Sequence, residues 1–187
     1  MEQLEIEFKI LLTKEMYQKI KNDFKNQIKE TYSQTNYYLM HPILDQLQYS
    51  LRIRKKKNSY ELTLKRPSSS GLKEMNIQID ETIKNKIFHH QPVDNEIFTI
   101  LKDLNIAYQD LNCQHYLKTI RSDIELKEGI LSLDDNEYNG VKDYEMELEV
   151  LNKEEGYQKW LSILKHYHLS YKKNCDSKIK RMKMTLK

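Results

Sequence analysis

Several stretches of this chain alternate residue by residue between apolar and charged side chains, and others repeat apolar residues at helical spacing. Between Leu4 and Leu12, Glu5, Glu7 and Lys9 alternate with Ile6, Phe8 and Ile10, which predicts a strand with one ionic and one apolar face. Thr13 followed by Met16, Ile20 and Phe24 predicts a capped amphipathic helix. Thr31 to Met40, with Tyr32, Tyr37, Tyr38 and Leu39, reads as a strand. A hairpin follows, with Tyr49 to Lys55 and Tyr60 to Lys65 as its arms and Lys56-Lys57-Asn58-Ser59 as its turn. Pro67-Ser68-Ser69-Ser70-Gly71 is a loop before a strand from Leu72 to Ile79. Residues 81 to 103 read as helical, broken in two by Pro92. Strands at Tyr116 to Leu126, Ile130 to Asp134 and Tyr144 to Val150 are separated by turns at Gly129 and Asn139-Gly140. A helix from Lys153 to about His166 presents Trp160, Leu161 and Leu164, and the basic tail Ser177 to Lys187 carries no firm pattern.

These segments amount to an α+β chain, with eight strands that suit an antiparallel sheet closed into a barrel and flanked by helices. Its 187 residues suit a single domain, 1–187. Hydrophobic residues make up 39%, enough for a core, while charged residues reach 32%, above the usual quarter. Because 31 basic and 28 acidic residues leave a net charge of only +3, no specific nucleic-acid partner is expected. Neither a signal-peptide start nor an apolar run long enough for a membrane is present, so the expected location is cytoplasmic. Cys113 and Cys175 read as ordinary reduced thiols. His89-His90 reads as a surface pair, and the Lys55-Lys56-Lys57 run as a solvated hairpin end.

The excess charge is concentrated on one parity of the strands. Alternate strand residues share a face, so Arg52 projects with Arg54, Glu61 with Lys65, Arg121 with Glu125 and Lys127, and Glu145 with Glu147 and Glu149. One fate for such faces is a wet outer surface, and the other is a shared interior in which acids and bases compensate. The second is preferred, because the signs are segregated between strands and closure would bring them together. Three carboxylates on one strand face also call for a counter-ion, and Mg²⁺ or Mn²⁺ with oxygen ligands would supply it. Arg and Lys on neighbouring strands would hold phosphate oxygens. Metal-binding acids beside converging bases are the equipment of phosphoryl transfer.

Glu5-Ile6-Glu7-Phe8-Lys9 resembles the N-terminal E-x-E-x-K signature of CYTH proteins, the triphosphate tunnel metalloenzymes. Asn36-Tyr37-Tyr38-Leu39, Leu51-Arg52-Ile53-Arg54, Leu62-Thr63-Leu64-Lys65-Arg66-Pro67, Leu133-Asp134, the acidic strand around Glu145 and Glu147, and Ser177-Lys178 follow in the family's order. The resemblance spans nearly the whole chain and is nearest to the short bacterial single-domain branch. It implies an eight-stranded tunnel that binds a triphosphate and requires Mg²⁺ or Mn²⁺. It assigns phosphate contacts to Lys9, Arg52, Arg54, Lys65, Arg121 and Lys178, and metal binding to Glu5, Glu7, Glu145 and Glu147, with Glu149 a weaker candidate. Glu5, Glu7, Glu147 and Lys9 are the implied catalytic set. In the implied two-metal scheme, one ion binds the triphosphate and the other activates a water. Asp134 is an expected substrate-side residue, with Asp135 as the alternative register. Glu74 joins the substrate side, although Asn76 and Gln78 stand where further charge is common in the family.

The expected function is metal-dependent hydrolysis of a triphosphate, whether inorganic tripolyphosphate, thiamine triphosphate or a nucleoside triphosphate. The alternatives are an adenylate cyclase of the same family and a non-catalytic barrel that binds polyphosphate or nucleotides. A small triphosphate-containing molecule is the expected partner, with no membrane involvement, and the protein is expected as a monomer or homodimer.

Overall fold

The structure is a computed structural model that describes residues 2–69 and 71–186. Met1, Ser70 of the predicted 67–71 loop and Lys187 of the tail lie outside the described residues. The chain forms β1 (Glu2–Glu5), β2 (Glu7–Leu12), α1 (Lys14–Asp23), β3 (Ile28–Met40), α2 (Pro42–Gln46), β4 (Ser50–Lys56), β5 (Ser59–Pro67) and β6 (Leu72–Ile79). It continues through α3 (Glu81–Phe88), α4 (Glu96–Asp103), a 3-10 turn at Tyr108–Asp110, β7 (Asn112–Leu126), β8 (Gly129–Tyr138), β9 (Val141–Val150), α5 (Lys153–His166) and α6 (Lys178–Met184). No helix among the described residues is long and apolar enough to cross a membrane.

Among the described residues, nine strands form one sheet in the order β1-β6-β5-β4-β3-β7-β8-β9-β2. The count exceeds the expected eight because the predicted strand from Leu4 to Leu12 is broken at Ile6. β1 neighbours β6, whereas β2 pairs antiparallel with β9, and the Ile6 carbonyl accepts from the Val150 amide at 2.9 Å. A change of partner at one residue ends the first strand and starts the second.

Contacts divide the chain into two compact units. The first comprises Met1–Leu4 and Gln34–Leu117. Its core joins Leu51, Ile53, Leu62 and Leu64 on β4 and β5 to Leu44 of α2, Ile87 of α3, and Ile97 and Leu101 of α4, so these helices cover the apolar side of the strands. The second comprises Glu5–Ser33 and Lys118–Lys187. There Phe8, Ile10, Leu131, Leu133, Met146 and Leu148 pack against Tyr17 and Ile20 of α1 and Trp160, Ile163 and Leu164 of α5. The predicted apolar parity is therefore the core parity in both units.

Local signals act where expected. The Thr13 hydroxyl accepts from the Met16 amide at 3.2 Å and opens α1. Asn139 and Gly140, at φ 48° and 76°, make the tight β8–β9 connection. Gly129, at φ 154°, begins β8 where an added Cβ would meet the Glu149 carbonyl oxygen at 1.9 Å. Two short helices escape the sequence pattern. α2 is capped by His41, whose Nδ1 accepts from the Ile43 amide at 3.2 Å, and α6 opens at Ser177 inside the unassigned tail.

Candidate active site

On the second unit, strand register builds the polar face row by row. β7, β8 and β9 align Thr119 with Asn136 and Asp143, then Arg121 with Asp134 and Glu145. The next row aligns Asp123 with Ser132 and Glu147, and β2 adds Lys9 opposite Glu147. This face lies opposite the helix-covered core, yet Thr119, Asp134, Asn136 and Glu145 are each 0% exposed. The wet-surface reading is thereby ruled out for Asp134 and Glu145.

Three acids converge here. Asp134, Glu145 and Glu147 each offer an oxygen, and these oxygens all lie within 4.8 Å of one another. Bases surround them. Arg121 donates from Nε to Asp134 Oδ1 at 2.8 Å and from one terminal nitrogen to Asp134 Oδ2 at 2.6 Å, and it also pairs with Glu147. The Lys178 ammonium lies 3.0 Å from Asp134 Oδ2 and 2.6 Å from Glu147 Oε1, and also pairs with Glu145. Lys9 pairs with Glu7.

The protonation states follow from this crowding. Burial and the Glu147 charge push the Glu145 carboxyl up, although Lys178 and Arg181 oppose the shift. Glu147 is driven well below the usual carboxylate range, because Lys178, Arg121 and Lys9 outweigh its burial. Burial pulls Lys9 down, but Glu7, Glu147 and Glu145 more than offset it and leave it raised. Arg121 and Lys178 are held firmly cationic by the same acids despite their burial. The two glutamates thus differ: burial favours the protonated form of Glu145, whereas the surrounding cations hold Glu147 ionised.

The donor set fits a hard divalent cation. Three carboxylate oxygens from adjacent strands match the oxygen preference of Mg²⁺ and Mn²⁺, whose octahedra span about 4.1 Å between opposite ligands. A cation held there would also favour loss of the proton on Glu145. Asp134, Glu145 and Glu147 are the residues that would hold it.

The C-terminal segment supplies a layer that the strand pattern could not reveal. Asn174 follows the free edge of β2, accepting from the Lys9 amide at 2.8 Å and donating to the Glu7 carbonyl at 2.9 Å. The Cys175 amide adds a bond to the Lys9 carbonyl at 3.2 Å. This anchorage brings Lys178, at the start of α6, to the acids. One turn later Arg181 donates to Asp143 at 2.8 and 3.2 Å and pairs with Glu145. Asp143 also accepts from the Tyr138 hydroxyl at 2.6 Å and Asn136 Nδ2 at 2.9 Å.

The first unit carries a second polar face. Register aligns Asn36 with Arg54 and Glu61, Tyr38 with Arg52, Thr63 and Asn76, and Lys65 with Glu74. Glu74 lies between two bases, 3.4 Å from Arg52 and 3.6 Å from Lys65. Arg54 Nε donates to Asn36 Oδ1 at 3.1 Å, and the Thr63 hydroxyl donates to Asn76 Oδ1 at 2.7 Å. Arg52 is 8% exposed, and its Nε has no acceptor among the described residues. Neither base-bearing strand of this face lies on open surface.

The expected residues are thus distributed unevenly. Lys9, Arg121, Asp134, Glu145, Glu147 and Lys178 gather in one cluster, and Arg52, Arg54, Lys65 and Glu74 in another. Glu5 and Glu7 are half-buried outside the acidic trio, and Glu149 is exposed opposite Glu7 at the far end of β9. Glu125 and Lys127 are likewise exposed. Of the two aspartates, Asp134 belongs to the trio, while Asp135 takes the opposite parity and pairs with Lys142 at 3.6 Å. Asp143, Asn174 and Arg181 are additions. Asp143 could have been found, since it shares the parity of Glu145 and Glu147.

Residues 3–177 match the family model for the CYTH domain. The chain is 31% identical over 172 residues to the "Putative triphosphatase YjbK" of Bacillus subtilis (strain 168), covering 90% of this chain and 88% of that protein. The crystal structure of a "putative adenylate cyclase" from Bacillus halodurans superimposes with a TM-score of 0.87 at 31% identity, covering 96% of this chain and 97% of the other. A Hippeastrum structure named "Putative adenylyl cyclase HpAC1", with a dominant triphosphatase activity, gives a TM-score of 0.81 at 21% identity, covering 97% and 96% of the two chains. The fold is the α+β antiparallel barrel of these structures, with helices flanking the sheet. With the E-x-E-x-K signature, the arginine pair and the acidic strand in family order, and the model matched from residue 3 to 177, this chain belongs to the CYTH domain family.

Proposed function

We propose that this protein is a divalent-metal-dependent triphosphatase that cleaves a terminal phosphoric anhydride of a small triphosphate. The observation that carries the reading is the trio of buried Asp134 and Glu145 and half-buried Glu147, paired with Arg121 and Lys178 and with Lys9 across from Glu147 on β2. A site built only to hold an anion would gain nothing from three convergent acids, whereas phosphoryl transfer uses acids to hold cations and bases to hold phosphate. The names of the Bacillus subtilis and Hippeastrum relatives support hydrolysis.

In this reading Lys9, Arg121 and Lys178 in the second unit, and Arg52, Arg54 and Lys65 in the first, bind phosphate oxygens. Asp134, Glu145 and Glu147 are the carboxylates for Mg²⁺ or Mn²⁺, and Glu5 and Glu7 of the signature complete the acidic set. When bound, the cation neutralises phosphate charge and makes a nucleophilic water accessible near neutral pH. The protein's own share is positional. Arg121 and Lys178 fix the orientation of the acids before substrate arrives and offer positive charge to the oxygens on which negative charge builds during transfer. Substrate-binding Glu74, set between Arg52 and Lys65, keeps those bases apart and aligned. The candidate substrates are inorganic tripolyphosphate, thiamine triphosphate and nucleoside triphosphates, and the proposed compartment is the cytoplasm.

The test is to incubate purified protein with Mg²⁺ or Mn²⁺ and each triphosphate, measuring orthophosphate and cyclic AMP. Orthophosphate release that depends on the cation is expected. Cyclic AMP and pyrophosphate from ATP would instead favour the cyclase reading suggested by the name of the Bacillus halodurans relative. Binding without any product would leave a non-catalytic barrel.

A further inference from the structure

Two buried donors on the polar face of the first unit lack acceptors among the described residues: Asn36 Nδ2 and Arg52 Nε. Asn36 is 1% exposed and Arg52 8%. The orientation of the Asn36 amide is chemically forced. Its Oδ1 accepts from Arg54 Nε at 3.1 Å, and a flipped amide would set NH₂ against a guanidinium N–H. The NH₂ group must therefore point away from Arg54. Leaving one buried N–H without an acceptor costs about 1–3 kcal/mol, so two on neighbouring rows of one sheet face call for a shared explanation. β3–β4 register pairs Asn36 with Arg54 and Tyr38 with Arg52, so Asn36 and Arg52 occupy adjacent rows of the sheet on neighbouring strands, the rows being about 6.5–7 Å apart.

Resting on the triphosphatase reading above, we infer that Asn36 is a substrate-contacting residue that donates to a phosphate oxygen alongside Arg52 Nε. The ligand must supply acceptors and no donors at this point, and the adjacent Arg52 and Arg54 require it to be anionic. A polyphosphate chain meets both conditions, with acceptor oxygens on successive phosphorus atoms able to reach successive strand rows. Asn36 is a neutral member of a basic site. It adds a directed hydrogen bond without raising the charge that the folded protein must hold in the absence of substrate.

The test compares wild type, Asn36→Asp and Asn36→Ala for binding inorganic tripolyphosphate, by calorimetry in EDTA, and for KM and kcat with Mn²⁺. Asn36→Asp keeps an acceptor for Arg54 but loses the donor, and Asn36→Ala loses both without adding charge. Both variants are expected to weaken tripolyphosphate binding or raise KM at least tenfold, with Asn36→Asp keeping the wild-type melting temperature. Weakening in the Ala variant alone would mean that Asn36 acts only by holding Arg54, and weakening in the Asp variant alone would mean mere charge repulsion. Either result overturns the assignment, as does unchanged behaviour in both. Should Asn36→Asp fail to fold, Asn36→Met, whose thioether accepts weakly and cannot donate, takes its place. A wild type that neither binds nor hydrolyses tripolyphosphate overturns the triphosphatase reading itself, whereas a binding wild type with unaffected variants overturns only the role of Asn36.

Discussion

Replacing Arg181 with Met keeps much of the side-chain volume and removes the charge that ties α6 to β9. Arg181 is 7% exposed and meets two carboxylates, Asp143 through a bidentate contact at 2.8 and 3.2 Å and Glu145 through its other terminal nitrogen. It also donates to the Asp176 carbonyl at the N-terminal end of α6. Breaking a buried ion pair by removing one partner costs about 3–5 kcal/mol. The lower figure applies here, since Asp143 keeps the Tyr138 hydroxyl and Asn136 amide, and Glu145 keeps Lys178. For a chain of this size each kcal/mol moves Tm by about 2–4 °C, so Arg181→Met should melt about 6–12 °C below wild type. Circular dichroism melts at neutral pH measure this directly. A fall of under about 2 °C would refute the claim that Arg181 is the buried counter-charge of β9.

Three further outcomes follow from other parts of the molecule. Gly129→Ala places a Cβ 1.9 Å from the Glu149 carbonyl at a φ that L-residues avoid, so a loss of about 1–3 kcal/mol is expected in chemical denaturation, and wild-type stability would contradict the β8 geometry. Burial pushes Cys113 to about 11, while burial and Glu145 push Cys175 to about 12. Raised thiol values mean little thiolate at pH 8, so native protein should react with iodoacetamide far more slowly than urea-unfolded protein, and equal rates would contradict the placement of both thiols. Asp143 is held below its ordinary 3.8, since Arg181, Tyr138 and Asn136 outweigh its burial. A lowered carboxylate stabilises the fold above its unfolded value and loses that contribution as pH falls through the folded one. The stability gap between wild type and Asp143→Asn should therefore narrow below pH 3.8, and a gap that widens there would reverse the assigned sign.

Most of the secondary structure was legible because the apolar period is clean. The predicted strand from Leu72 to Ile79 and helix from Lys153 to His166 coincide with β6 and α5, and Pro92 separates α3 from α4. The break at Ile6 was not legible, since it reflects a change of strand partner that local alternation cannot register. α2 spans five residues and α6 seven, too short for an apolar stripe to repeat. β8 runs four residues past the predicted Asp134, through Asp135, Asn136 and Glu137, which are weak strand formers held there by pairing with β9. The site was legible to the extent that parity reports a face. It put Glu145 with Glu147 and Arg52 with Arg54, but depth along a strand is invisible to parity, and Glu149 at the end of β9 is exposed while Glu145 is buried. Asp134 was separated from Asp135 only by the β7–β8 register, which sets Asp134 across from Arg121. Arg181 had only its position three residues after Lys178 to announce it.

The most direct measurement is cation-dependent orthophosphate release by wild type and by Glu147→Gln, each checked for folding by circular dichroism. Glu147 is half-buried and bonded to Arg121 and Lys178, which hold it ionised, and Gln keeps its shape while removing the charge that a cation needs. The variant is expected to fold, to retain part of its tripolyphosphate binding and to lose at least about a hundredfold in kcat. A folded Glu147→Gln protein that turns over like wild type would contradict that expectation.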